Sequence, residues 1–212
     1  METKLFRGME CRRMGNSGLW VSEVGLGTRK WGDPSYDVSR LGDHGGFEIL
    51  DRALELGVFH WDTACSYNLA ERNKVATEGE DRTEGSEKDF LGFAAKQNNG
   101  VIPFFPLAGG LLTGRYRKGS IDETGRIIKD GDYWQKLFLT ERNLDLVDRL
   151  DAIAHRKDCS MSQLAIAWLL SHDVIPSVIA VVTRMEHLEN NAGATSVELS
   201  DDDLKEIDDI TS

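Results

Sequence analysis

Two stretches of this chain combine residue types that could do chemistry. In Asp62-Thr63-Ala64-Cys65-Ser66-Tyr67 a carboxylate and a phenol stand close together. They follow Val58-Phe59-His60-Trp61, which reads as a strand. An acid and a phenol at the carboxyl end of a strand suit proton transfer. They equally suit a plain hydrogen-bonded pair. The second stretch runs from Ser177 to Asn191, an apolar strand through Val182 followed by a helix from near Arg184. Thr183 and Arg184 fall at that helix start, where unpaired N–H groups and a guanidinium can hold a phosphate. Helix capping beside a solvent-facing arginine is the alternative. Gly25-Leu26-Gly27 invites a dinucleotide fingerprint, but Lys30 stands where its third glycine belongs and no helix opens there. It is read as a strand end with a close backbone approach.

The elements that must position these groups follow from the patterning. Cys11 to Ser22 forms a hairpin around Gly15-Asn16-Ser17-Gly18. Val24 to Thr28 is a short strand, residues 29–45 a loop, and Phe47 to Leu56 a broadly apolar helix stopped by Gly57. With the strand at Val58 to Thr63 this is a βαβ unit. Glu71 to Asp89 is acidic and read as an exposed loop; Ser86 caps a helix to Gln97. Val101 to Leu107 is read as a buried parallel strand made irregular by Pro103 and Pro106. A polar loop then runs to about Lys136, with Trp134 as a packing anchor or pocket wall. Thr140 caps a helix carrying Leu146, Leu150 and Ile153. Ser160 and Gln163 form a capping box for an apolar helix to about Ser171, and Ser200 caps the last helix. Strands alternating with helices predict an α/β fold with a parallel sheet of about four core strands.

Composition bounds the function. The 212 residues carry a net charge of −11, with 40% hydrophobic and 29% charged residues. That is a globular composition whose surface repels nucleic acid. No run approaches the roughly 18 apolar residues of a membrane span. The N-terminus lacks the apolar stretch of a secretory signal, so a cytoplasmic protein is expected. Cys11, Cys65 and Cys159 are odd in number and widely spaced, supporting neither a disulfide framework nor a zinc site.

The motifs also carry a resemblance. Arg13 to Thr28 resembles the opening of the aldo-keto reductases, and Phe47 to Tyr67 their first helix and second strand with an Asp-Thr-Ala-x-x-Tyr signature. Tyr67-Asn68-Leu69-Ala70-Glu71-Arg72 is similar to a segment after that family's sixth strand. Val101 to Tyr116 resembles the seventh strand and its loop, and Thr140 to Asn191 the last helices and eighth strand. The resemblance implies a single domain over residues 1–212, an N-terminal part 11–67 joined to a C-terminal part 68–212. Its fold would be an incomplete (β/α)-barrel of the TIM type, with an N-terminal β-hairpin and without the third to sixth strands. It implies NADPH-dependent reduction of an aldehyde or ketone, with Asp62 and Tyr67 catalytic. Gly27, Thr28, Phe104, Pro106, Leu107, Thr183, Arg184, His187 and Asn191 would bind NADP. A free tyrosine titrates near 10, so Tyr67 needs a nearby cation to act near neutrality. The family's lysine and histidine for that task have no matching positions here; Lys30 is a possible substitute. Val181 stands where the family carries glycine. The alternative is a catalytically impaired nucleotide-binding relic or a truncated gene product. Open strand edges would favour a homo-oligomer.

Overall fold

The computed structural model describes residues 2–28, 42–62, 95–96 and 100–211. In chain order the elements are β1 (Thr3–Phe6), β2 (Met9–Arg13), β3 (Trp20–Ser22), β4 (Val24–Gly27), α1 (Gly42–Glu55) and β5 (His60–Asp62). A 3₁₀ segment (Ala108–Thr113), β6 (Tyr116–Arg117) and β7 (Ser120–Ile121) follow. Then come α2 (Arg126–Lys129), α3 (Asp132–Phe138), α4 (Glu141–Arg156), α5 (Met161–Leu170), β8 (Val178–Val181), α6 (Met185–Ala192) and α7 (Asp201–Thr211). These elements form two compact units: Met1–Pro103 with Asp173–Ala192, and Phe104–His172 with Gly193–Ser212.

In the first unit β2 and β3 form the expected hairpin, pairing Cys11 with Ser22 and Arg13 with Trp20. Gly15 and Gly18 turn it with φ of 49° and 77°. The sequence pattern did not signal β1, which adds a third antiparallel strand. Glu23, between β3 and β4, is almost fully buried and ion-paired with Arg12 of β2. Burial pushes the Glu23 carboxyl up from its usual range, and the Arg12 guanidinium opposes that rise. The Glu23 carbonyl accepts from Val178 N at 2.8 Å, tying the hairpin end to β8.

The parallel sheet is ordered β5-β4-β8. Helix α1 starts at Gly42, earlier than the expected Phe47, so residues 42–45 are helical rather than loop. Its end is a Schellman motif: Val58 N donates to Ala53 O at 2.8 Å and Gly57 N to Leu54 O at 3.2 Å, with Gly57 at φ 79°. A Cβ on Gly57 would overlap the Phe6 carbonyl and Met9. Arg7 Nη1 donates to the same Leu54 carbonyl at 2.9 Å, filling its second acceptor position.

Residues 101–107 do not form the expected strand. Val101 N does bond Val174 O at 2.7 Å, but Pro103 and Pro106 remove two ladder donors. Phe105 adopts φ 61° and Ala108 φ 47°, both incompatible with a strand. Phe105 instead stacks on Trp134 and Phe138, with ring centroids at 5.4 and 6.2 Å. The Arg126 guanidinium lies 4.6 Å over its ring. The expected loop through Lys136 is likewise built up, into the 3₁₀ segment, the β6–β7 hairpin, α2 and α3.

The second unit packs around Tyr116, Ile127, Val147, Ile153, Leu164 and Ile207. Its caps are as expected. Thr140 accepts from Asn143 N, Ser160 and Gln163 form the reciprocal box, and Ser200 Oγ accepts from Asp203 N. Buried Tyr116 accepts from Ile127 N at 3.0 Å, which anchors the start of α2. Among the described residues the parallel strands number three and no closed barrel is present. The acidic stretch from Glu71 to Asp89 and most of the helix expected from Ser86 to Gln97 lie outside the described residues.

Candidate functional site

The carboxyl ends of β4, β5 and β8 meet at one end of the parallel sheet. Gly27 is level with Asp62 on one side and Val181 on the other. Beyond the ladder, Thr28 donates to the Asp62 carbonyl through both N (3.1 Å) and Oγ1 (2.9 Å). Val182 N donates to Gly27 O at 3.3 Å. Gly27, Thr28, Asp62 and Val181 thus share one hydrogen-bonded strand end. This is the position where α/β proteins keep their ligand sites.

The chain leaves β8 through Val182 and Thr183 into α6. The Arg184 carbonyl accepts from His187 N and Leu188 N at 3.2 and 3.4 Å, so the helix begins there. Arg184 is exposed, Thr183 and His187 are half-buried, and Asn191 is buried. Spacings of three and four residues put Arg184, His187 and Asn191 on one face. Helix α6 packs against β4 and α1. An Arg52–Glu189 ion pair at 2.9 Å joins α1 to α6. A helix start with an exposed cation and a threonine suits a phosphate.

Val181 lies in extended β8, so no left-handed backbone is asked of it. Its side chain is 38% exposed and lies over Gly27, where an added Cβ would come within 3.2 Å of its Cγ2. A side chain at Gly27 would thus press on Val181, which would have to give by a few tenths of an ångström.

Phe104, Pro106 and Leu107 belong to the second unit. Phe104 is 73% exposed, beside the turned backbone of Phe105, and Leu107 O accepts from Gly110 N at 2.9 Å. Tyr67 and Lys30 lie outside the described residues. Among the described residues no cluster of His, Cys, Asp and Glu could hold a metal ion, and no helix is long and apolar enough to cross a membrane.

Sequence reasoning missed one polar group in this sheet. His60 Nδ1 lies 3.2 Å from Ser177 Oγ, a residue with no exposed surface. Burial pushes the His60 ring below the usual histidine range, and nearby Asp62 partly opposes it. The legible signal was period-two alternation, which puts His60 and Asp62 on one face of β5.

Parallel strands with polar groups at their carboxyl ends, running into a helix with a basic start, define an α/β protein with a strand-end site. The aldo/keto reductase family model matches residues 75–212, and the chain belongs to that family. It is similar to L-glyceraldehyde 3-phosphate reductase of Escherichia coli (strain K12), 41% identical over 118 residues, covering 53% of this chain and 34% of that protein. Aldo-keto reductase yakc, an NADP(+) protein of Schizosaccharomyces pombe, is 35% identical over 117 residues, 54% of this chain and 34% of its own length. A probable voltage-gated potassium channel subunit beta of Oryza sativa subsp. japonica is 33% identical over 179 residues, 84% of this chain and 50% of its own. The chain thus matches about a third to a half of the length of these relatives.

Proposed function

We propose that this chain is an NADPH-dependent carbonyl reductase, converting an aldehyde or ketone to an alcohol in the cytosol. The observation that carries the reading is the strand end where Thr28 grips the Asp62 carbonyl and β8 runs directly into the Arg184 helix start. Its residues fit the nucleotide. Arg184 and Thr183 would hold a phosphate, while His187 and Asn191 would face the adenosine end. Gly27 and Thr28 would line the approach; Phe104, Pro106 and Leu107, the remaining cofactor candidates of the family resemblance, are carried by the second unit.

The hydride for the carbonyl carbon comes from the cofactor when it is bound. Tyr67 would donate the proton to the carbonyl oxygen, forming the alcohol O–H. Asp62 would hold a cation near that phenol, because a positive charge stabilises the phenolate and lowers its pKa. Lys30 is the proposed cation in place of the family's missing lysine. The test is loss of NADPH absorbance with a simple aldehyde, comparing the parent with Tyr67→Phe. A parent rate no higher than that of the variant would defeat the proposal.

Val181 favours a second reading, a nucleotide-binding relic with impaired turnover. Its side chain occupies the space above Gly27. That reading expects NADPH to raise the melting temperature without turnover. Self-association is a further proposal. Among the described residues β5 and β8 each pair only with β4, leaving outer edges to a second copy. Light scattering at the size-exclusion peak tests it; a strict monomer would end it.

A further inference from the structure

The middle strand of the parallel sheet has a gap in its side chains at Gly25. That residue is level with His60 on β5 and Ile179 on β8. A Cβ there would come within 2.7 Å of Ile179 Cγ1 and 3.4 Å of His60 Nδ1. With no side chain on Gly25, His60 reaches past β4 and meets Ser177, the residue preceding β8, at 3.2 Å. The serine is completely buried and the histidine is half-buried. The base of the same strand is held independently. Ser22 Oγ accepts from Phe59 N and His60 N, both at 3.2 Å, and donates to Val24 O at 2.8 Å. His60 is therefore fixed through its backbone to the β3–β4 junction and through its ring to the entry of β8.

We infer that His60 and Ser177 form a brace across β4, which sets the Asp62 end of β5 against the Arg184 end of β8 and is destabilised when the half-buried His60 ring takes up a proton. His60 is a positioning residue in this account and does not touch the substrate. The functional half rests on the reading of Arg184 as a phosphate residue; the structural half does not.

Protonation matters because the ring is partly withdrawn from water. A cation there loses hydration, and the ring's partner across β4 is the uncharged Ser177 hydroxyl, reached over the open side of Gly25. Asp62, on the ring's own strand, is the charge that acts on it, and burial outweighs it. The direction follows. A histidine whose folded value is depressed adds stability that is full above its unfolded value. That stability is lost as pH falls through the folded value.

The experiment uses the full chain, His60→Gln and Ser177→Ala. Glutamine can keep a hydrogen bond to Ser177 but cannot titrate. Melting temperature and NADPH affinity are measured at about pH 7.5 and about pH 5.5, the histidine range. The expected parent result is a lower melting temperature and about tenfold weaker NADPH binding at the acid pH, a coupling of ordinary size between two sites. His60→Gln should match the parent within about twofold at the higher pH and lose most of the acid step. Ser177→Ala should be weakened already at the higher pH. His187 is present in both the parent and His60→Gln, so the difference between them isolates His60. A His60→Gln protein that keeps the parent's acid step in melting temperature overturns the brace. Should none of the proteins bind NADPH, the cofactor reading fails by itself. The melting-temperature comparison still decides the brace.

Discussion

Replacing Arg12 with methionine tests how the hairpin is locked to the sheet. Methionine keeps much of the apolar stem and removes the guanidinium. Glu23 then has no cationic partner at a site where its side chain is only 4% exposed. Breaking a buried pair by removing one member costs about 3–5 kcal/mol, because an uncompensated charge stays buried. Arg12 itself is 17% exposed, so water reaches one side of the pair and the lower end, about 3 kcal/mol, applies. With a urea slope of about 2 kcal/mol per molar, the unfolding midpoint should fall by about 1.5 M. Tryptophan fluorescence in a urea titration reads this directly. The pH dependence has a definite sign. Burial raises the Glu23 carboxyl, so the folded state binds its proton more tightly than the unfolded one. A raised group gives stability that is present below its unfolded value and lost as pH rises through the folded value. The defect should therefore shrink towards acid pH. Adding Glu23→Leu should recover most of the loss, since an apolar pair needs no desolvation of charge. A midpoint within about 0.3 M of the parent, or a double variant as weak as the single one, would refute the reasoning.

Three further changes have clear directions. Tyr116→Phe removes the acceptor of Ile127 N and leaves that amide buried; a loss of about 1–3 kcal/mol in urea unfolding is expected. Asp203 is bonded to Lys157 and Ser200, which holds its carboxyl down to about 2. Its stabilisation is present above the unfolded value and lost as pH falls through the folded one, so Asp203→Asn should flatten the acid limb of the melting curve between about pH 4 and about pH 2. Arg184→Met should weaken NADPH binding about tenfold or more, measured by fluorescence titration, with the melting temperature nearly unchanged.

Features fixed by local chemistry were readable from the sequence. Gly15 and Gly18 announce the hairpin turn, Gly57 the helix stop, and Ser160 with Gln163 the capping box, because each acts within a few residues. The Val101–Leu107 segment misled for the opposite reason. Its apolar run fits a buried strand, but Pro103 and Pro106 withhold donors, and Phe105 turns its backbone to join Trp134 and Phe138. That stack joins residues roughly thirty positions apart, beyond any local pattern. The short helices α2 and α3 were invisible likewise, since Ile127 and Trp134 gain their burial from distant partners. Of the site, the strand end at Gly27, Thr28 and Asp62 and the helix start at Arg184 were legible from strand-to-helix punctuation. The His60–Ser177 contact was not, because it depends on an absent side chain at Gly25.

The end of α1 has a consequence for how the molecule opens. Its final turn is closed by Gly57 and also by Arg7, whose guanidinium reaches Leu54 O from the β1–β2 turn. Phe6 meets Phe59 edge-on at 5.4 Å, beyond the same glycine. The hydrogen bond and the ring contact tie the two segments to each other. Contacts of this kind couple the β1–β2 hairpin to the stretch from Leu54 to Phe59, so the two are expected to open together in local unfolding.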